Sequence, residues 1–312
     1  MRSIWKYLSN HVRQDFNTTQ YLGIFVFLAC SIFFNYRVSF ENNVLDNLNG
    51  FQKFAARFLF FGVAYFSTLL ITSYAKKEKQ FLYKKSFWFK SLLALIALSL
   101  DSSLPFLQGW TSRIFPPQVQ YWGYKVCVNL ISFFTILLPL MIYYWYYEKD
   151  ETHYYGLKVK HFDSRPYFQM VLIMMPILIG ASFHSSFLNA YPLYKSTTAH
   201  VYLNVPEWIT VMAYELAYGL DFITVEFLFR GFMVIGMISI LGRHAILPMA
   251  VTYCFLHFGK PPGEAISSVV GGYILGVIAY ETKSIWGGII VHLGIAWLME
   301  LIAFIQKAMG AG

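Results

Sequence analysis

Apolar runs recur along the whole chain, at about residues 21–36, 55–74, 86–104, 126–146, 167–188, 209–240, 244–258, 265–280 and 285–304. A helix needs roughly 17–25 mostly apolar residues to cross about 30 Å of hydrocarbon, and only helices or closed barrels satisfy their backbone there. The pattern predicts an all-α fold, a polytopic transmembrane helical bundle of about eight or nine helices. The 209–240 run is either one tilted helix or two pieces broken near Gly219 and Asp221. Short polar clusters separate the runs, and tyrosine-rich stretches such as 143–147 sit at their ends, where amphipathic rings favour the headgroup layer.

Composition agrees, with 57% hydrophobic, 20% aromatic and 13% charged residues. These values lie outside the range of water-soluble domains. The formal charge of +8 is concentrated in alternate connections: Arg2, Lys6 and Arg13 before the first run, six lysines from Lys76 to Lys90, then Lys149, Lys158, Lys160 and Arg165. The intervening connections are poorer, with Arg37, Lys53 and Arg57, then Arg113 and Lys125, then Lys195. Cytoplasmic loops retain positive charge, so this alternation places the N-terminus in the cytoplasm. It also accounts for the basic balance without nucleic acid, and none is expected as a partner. The first run reads as a retained helix and not a cleaved leader. Cys30, Cys127 and Cys254 are scattered within apolar runs, a spacing that suits neither a disulfide nor a thiolate metal site.

Two regions differ in character. Residues 1–165 hold N-terminal transmembrane helices with basic cytoplasmic loops, and their one conspicuous acid in an apolar run, Asp101, reads as a solvated helix end. In 166–312 the apolar runs carry polar groups: Glu226 and Arg230 in VEFLFRGF, His257 in TYCFLHFGK and His292 in IIVHLGIAW. An ionisable side chain in hydrocarbon costs several kcal/mol unless it is paired or faces a watered cavity. Glu226 and Arg230, one helical turn apart, suit an ion pair. A carboxylate with two imidazoles on separate helices suits a divalent metal such as zinc, or a water oriented for attack. Gly271, Gly272 and Gly276 permit close helix approach, and Pro261-Pro262-Gly263 turns the chain just after His257.

The ordered motifs resemble those of the CPBP (CAAX-protease and bacteriocin-processing, or ABI) intramembrane endopeptidases. The family pattern E-E-x-x-x-R, then F-x-x-x-H, then H-x-x-x-N/D appears as Val225-Glu226-Phe227-Leu228-Phe229-Arg230, Tyr253-Cys254-Phe255-Leu256-His257 and His292-Leu293-Gly294-Ile295-Ala296. The resemblance implies a CPBP-like catalytic core in 166–312, with Glu226, His257 and His292 as catalytic residues and Arg230 and Asp221 in support. In a metal-dependent member Glu226, His257 and His292 would be the ligands. It implies hydrolysis of membrane-associated polypeptides among membrane lipids, a prenylated CAAX terminus being one such substrate, in an integral protein of a bacterial cytoplasmic membrane. Two departures stand out. Val225 replaces the first glutamate, which usually activates water, and Ala296 replaces the polar residue of the third motif. A divergent peptidase in which Glu226 or Asp221 activates water, a catalytically inactive binding module and a transporter are the readings that remain.

Overall fold

The computed structural model describes residues 2–104, 106–149, 153–158 and 162–310. Lys160 of the third basic cluster lies outside them. Among the described residues the fold is helical without strands: α1 (Arg2–Asp15), α2 (Thr18–Val38), α3 (Gly50–Lys76), α4 (Lys85–Ser103), α5 (Leu107–Ile114), α6 (Pro117–Leu130), α7 (Leu138–Tyr147) and α8 (Arg165–Ala181). Then come α9 (Ser185–Ala190), α10 (Ala199–Tyr202), α11 (Glu207–Glu226), α12 (Ile238–Leu241), α13 (Ile246–Leu256), α14 (Pro262–Thr282) and α15 (Trp286–Ala308). This is the expected all-α polytopic bundle.

Among the described residues six helical stretches are long and apolar enough to cross a membrane, or seven if α4 and α5, bent by 46°, form one broken span. Some of the apolar runs are built differently from a single straight span. The 167–188 run forms only the shorter α8, which carries Pro176 in its interior. The 209–240 and 244–258 runs belong to one almost unbroken helical stretch, 207–256. That stretch nevertheless folds back on itself. The rings of Phe229 and Tyr253 stand 5.1 Å apart, whereas a straight helix would separate them by roughly 36 Å. The reversal runs through a π-turn at Phe227–Phe232 and 3₁₀ turns at Ile235–Met237 and Gly242–Ala245, where Gly242 takes a positive φ of 55°.

The buried core centres on this fold-back: Phe227, Phe229, Phe232, Ile246, Met249 and Cys254 are almost wholly enclosed. Outward-facing Leu22, Phe25, Phe33, Leu59 and Leu70 leave an apolar exterior on the N-terminal helices, as lipid contact requires. Of the three cysteines only Cys254 is a buried packing residue, and Cys30 is exposed. Among the three glycines expected to bring helices together, Gly272 and Gly276 do so. A Cβ on Gly276 would come within 2.6 Å of Met249 on α13, while Gly271 faces open space.

The N-terminal helices do more than contribute hydropathy. Arg57, counted above as a loop charge, is buried inside α3, where it pairs with Glu41 (2.6 Å) and Asp46 (2.8 Å). Asn35 at the end of α2 accepts a hydrogen bond from the Glu41 N–H and donates to the Phe258 carbonyl, and Tyr36 donates to the Lys260 carbonyl. Glu41 lies against Gly259. These side chains grip the turn that follows His257. Burial pushes the Glu41 carboxyl upward while the Arg57 charge pulls it back, which is why the pair occurs together.

Candidate functional site

Glu226 closes α11 and Arg230 lies in the π-turn that follows, a widened turn of a type that recurs at functional sites. The pair survives the widening: Arg230 Nη1 lies 2.9 Å from Glu226 Oε1, with both side chains almost completely buried. α15 supplies the third member. His292 Nδ1 lies 3.0 Å from the same Glu226 Oε1. One helical turn before it in sequence, Gly288 makes room for the carboxylate, since a Cβ there would stand 2.0 Å from Glu226 Oε2.

α13 brings the fourth and fifth members. Tyr253 shares a hydrogen bond with His292 Nε2 at 3.0 Å, and the Arg230 guanidinium sits over its ring, 4.4 Å from the centroid. The Glu226 carboxylate and this aromatic face together balance the guanidinium charge. His257, at the C-terminus of α13, places Nδ1 2.8 Å from the Tyr253 carbonyl. A carbonyl only accepts, so Nδ1 carries the hydrogen and the neutral ring presents a bare Nε2. That Nε2 makes no hydrogen bond within the described residues.

The structure thus gathers Glu226, Arg230, His257 and His292 around Tyr253. Asp221 does not join them. It accepts from Thr224 Oγ1 (3.4 Å) and faces Asp101. Asp101, in the last turn of α4, accepts from Thr135 (2.6 Å), so it is a bonded acceptor between helices and not simply a solvated end. Glu226 is sequestered behind His292 and has no exposed surface. Sequence reasoning quoted Tyr253 only as the first letter of a motif and assigned Gly288 nothing. The visible signal was a hydroxyl on the residue one turn before His257, where the family pattern has phenylalanine.

The donor set was tested against zinc. A tetrahedral site needs at least three protein donors aimed at one point. Glu226 Oε1 is shared between Arg230 and His292, and His292 has both nitrogens engaged. Among the described residues no group of three or more His, Cys, Asp or Glu side chains converges in that way. As arranged, these residues do not fit a metal.

Residues 206–298, less than a third of the chain, match the family model for type II CAAX prenyl endopeptidase Rce1-like proteins. This segment is similar to the CPBP, or CAAX-protease, family. No curated protein and no solved structure matches it. The CPBP segment begins just before α11 and ends inside α15, so it contains every member of the Glu226 cluster. The clamp formed by Asn35, Tyr36, Glu41 and Arg57 lies wholly outside it.

Proposed function

We propose that the protein is an intramembrane endopeptidase that hydrolyses membrane-associated polypeptides at the Glu226, His257 and His292 cluster. One observation carries this reading. Two imidazoles on different helices, each with Nδ1 tied to an acceptor, surround one tyrosine at the lipid-buried heart of the CPBP segment.

With Val225 unable to accept a proton, the base is His257. Its bare Nε2 takes a proton from water as the oxygen attacks the scissile carbonyl carbon, and returns it to the departing amine. Glu226 is a positioning residue: it fixes the orientation of His292 and balances Arg230. Ala296 is apolar and buried, so it supplies no hydrogen bond of its own. The membrane is proposed to be a bacterial cytoplasmic membrane, with the N-terminus on the cytoplasmic side.

The test is cleavage of a library of membrane-anchored peptides by the purified chain in lipid, beside His257→Ala and His292→Ala. Loss of about 100-fold or more in kcat in both variants is expected, the size typical of removing a general base. A parent protein that cuts nothing sinks the reading, and retained capture of a polypeptide without cleavage would favour a binding module. A chelator is expected to leave the rate unchanged. Loss on chelation with recovery on added zinc would return the site to metal chemistry.

A further inference from the structure

The end of α3 and the start of α4 enclose a cleft of about 150 Å³, away from the Glu226 cluster. Its walls are Leu69, Leu70 and Ser73 of α3, Phe81 of the 3₁₀ turn Gln80–Tyr83, and Phe87 and Trp88 of α4. Phe81 meets Phe87 edge-on at 4.9 Å between centroids, and Trp88 Nε1 donates to the Leu82 carbonyl at 2.8 Å, so the turn is fastened to α4. Leu69, Phe81 and Phe87 are buried while Leu70 and Trp88 stay exposed, so the cleft opens onto the exterior of the bundle. A pocket lined in this way favours hydrocarbon over water.

Two observations make it more than a gap in the packing. Ser73 is only 4% exposed, yet its hydroxyl has no hydrogen-bond partner among the described residues. Serine and threonine inside a helix can return their hydrogen to the carbonyl four residues back, as Thr68 and Thr72 of α3 do. Ser73 instead lines the cleft. The second observation is charge. Lys77, Lys79 and Lys85 flank the turn that closes the cleft, all are exposed, and none forms an ion pair among the described residues. The one acid between them, Glu78, turns to His244 at 3.3 Å.

These features follow a fixed order along α3: Leu69 and Leu70, then Ser73, then Lys77, each about one turn of 5 Å beyond the last. Acyl chain, ester carbonyl and phosphate follow one another in the same order along a phospholipid. We propose that the cleft binds one anionic phospholipid, with part of an acyl chain in the slot, an ester carbonyl accepting from Ser73 Oγ, and the phosphate among Lys77, Lys79 and Lys85. A free phosphate would leave the slot and the serine unused. A zwitterionic lipid would bring its own cation up to the lysines, which attract net negative headgroups. The site does not depend on the peptidase reading, and no step of that chemistry passes through it.

The experiment titrates the purified chain in detergent with phosphatidylglycerol or with phosphatidylcholine of identical chains, and counts bound lipid by native mass spectrometry. The parent is expected to bind phosphatidylglycerol about tenfold tighter or more, from several lysines near one net negative headgroup. In Lys77→Gln/Lys79→Gln/Lys85→Gln the two lipids should come within about twofold of each other. Ser73→Ala should weaken both lipids alike, by about three- to tenfold, since both carry the ester that loses one hydrogen bond. Should Ser73→Ala fail to fold, Leu70→Trp narrows the mouth from its exposed side and should also weaken both lipids. Glycerol phosphate, which has no chain, should not displace phosphatidylglycerol. A parent without the preference, a lysine variant that keeps it, or binding unchanged in the Ser73 or Leu70 variant overturns the proposal. Displacement by glycerol phosphate also overturns it, because the lysines would then be a phosphate site without the slot.

Discussion

Glu226 Oε1 receives Arg230 from its own chain segment at 2.9 Å and His292 Nδ1 from α15 at 3.0 Å, so one buried oxygen joins two helices through a guanidinium and an imidazole. Removing the carboxylate leaves the Arg230 charge enclosed with only the Tyr253 face to balance it. A buried pair broken on one side costs roughly 3–5 kcal/mol, whereas replacing both partners by apolar residues is often neutral. Glu226→Leu is therefore expected to lower thermal stability in detergent markedly, and Glu226→Leu/Arg230→Met to regain most of it. Cleavage should stay lost in both. Equal stability of the single and double variants would show that the pair is not the clamp described here.

Gly288 offers a sharper probe of the same carboxylate. A single methyl there would fall 2.0 Å from Glu226 Oε2, far inside contact distance, and the carboxylate must move. The expected outcome for Gly288→Ala is loss of cleavage approaching that of His292→Ala, together with destabilisation of about 1–3 kcal/mol from overpacking. Gly271→Ala, which meets nothing within 4 Å, is the control and should behave as the parent in both the activity assay and the melt.

Much of this was legible in the sequence. Run length dictates the bundle, and charges in hydrocarbon identify Glu226, Arg230, His257 and His292 as residues with a purpose. The fold-back was not legible, because periodicity does not reveal that 207–256 reverses through a π-turn and 3₁₀ turns. Arg57 illustrates a second limit. Its partners Glu41 and Asp46 lie 16 and 11 positions away, so no helical spacing links them and it counts as one more loop charge. Tyr253 illustrates a third: a tyrosine one turn before a histidine has the packing value of phenylalanine until α15 brings His292 to its hydroxyl.

The grip of α2 and α3 on the turn after His257 predicts an effect at a distance. Asn35→Ala removes both the donor to the Phe258 carbonyl and the acceptor for the Glu41 N–H. Loss of two buried hydrogen bonds costs about 2–4 kcal/mol. His257 should then adopt several orientations, and kcat should fall by about tenfold or more because the base is no longer held at one point. Arg57→Met, which leaves Glu41 buried beside Gly259, should act in the same direction, and Arg57→Met/Glu41→Gln should relieve it. The measurement is kcat beside the histidine ring signals in nitrogen-15 NMR, and a single sharp His257 signal in Asn35→Ala would count against the clamp.

His11 on α1 gives the protein a pH response away from the cluster. It is completely buried, meets the Tyr273 ring of α14 at 5.7 Å and has no hydrogen bond on either ring nitrogen. Burial lowers its pKa below the usual 6.5; Asp15 opposes that shift, while Arg243, His244 and Lys76 reinforce it. The unfolded chain therefore binds a proton that the docked helix resists. The contribution to stability is complete above about pH 6.5 and declines as pH falls from there through the lowered value. Amide protection factors along α1, taken relative to the intrinsic exchange rate at each pH, should fall on acidification below about pH 6.5, ahead of those in α13 and α14. In His11→Phe, which keeps the ring contact and cannot titrate, that fall should disappear. Its persistence would show that His11 is not the origin of the response.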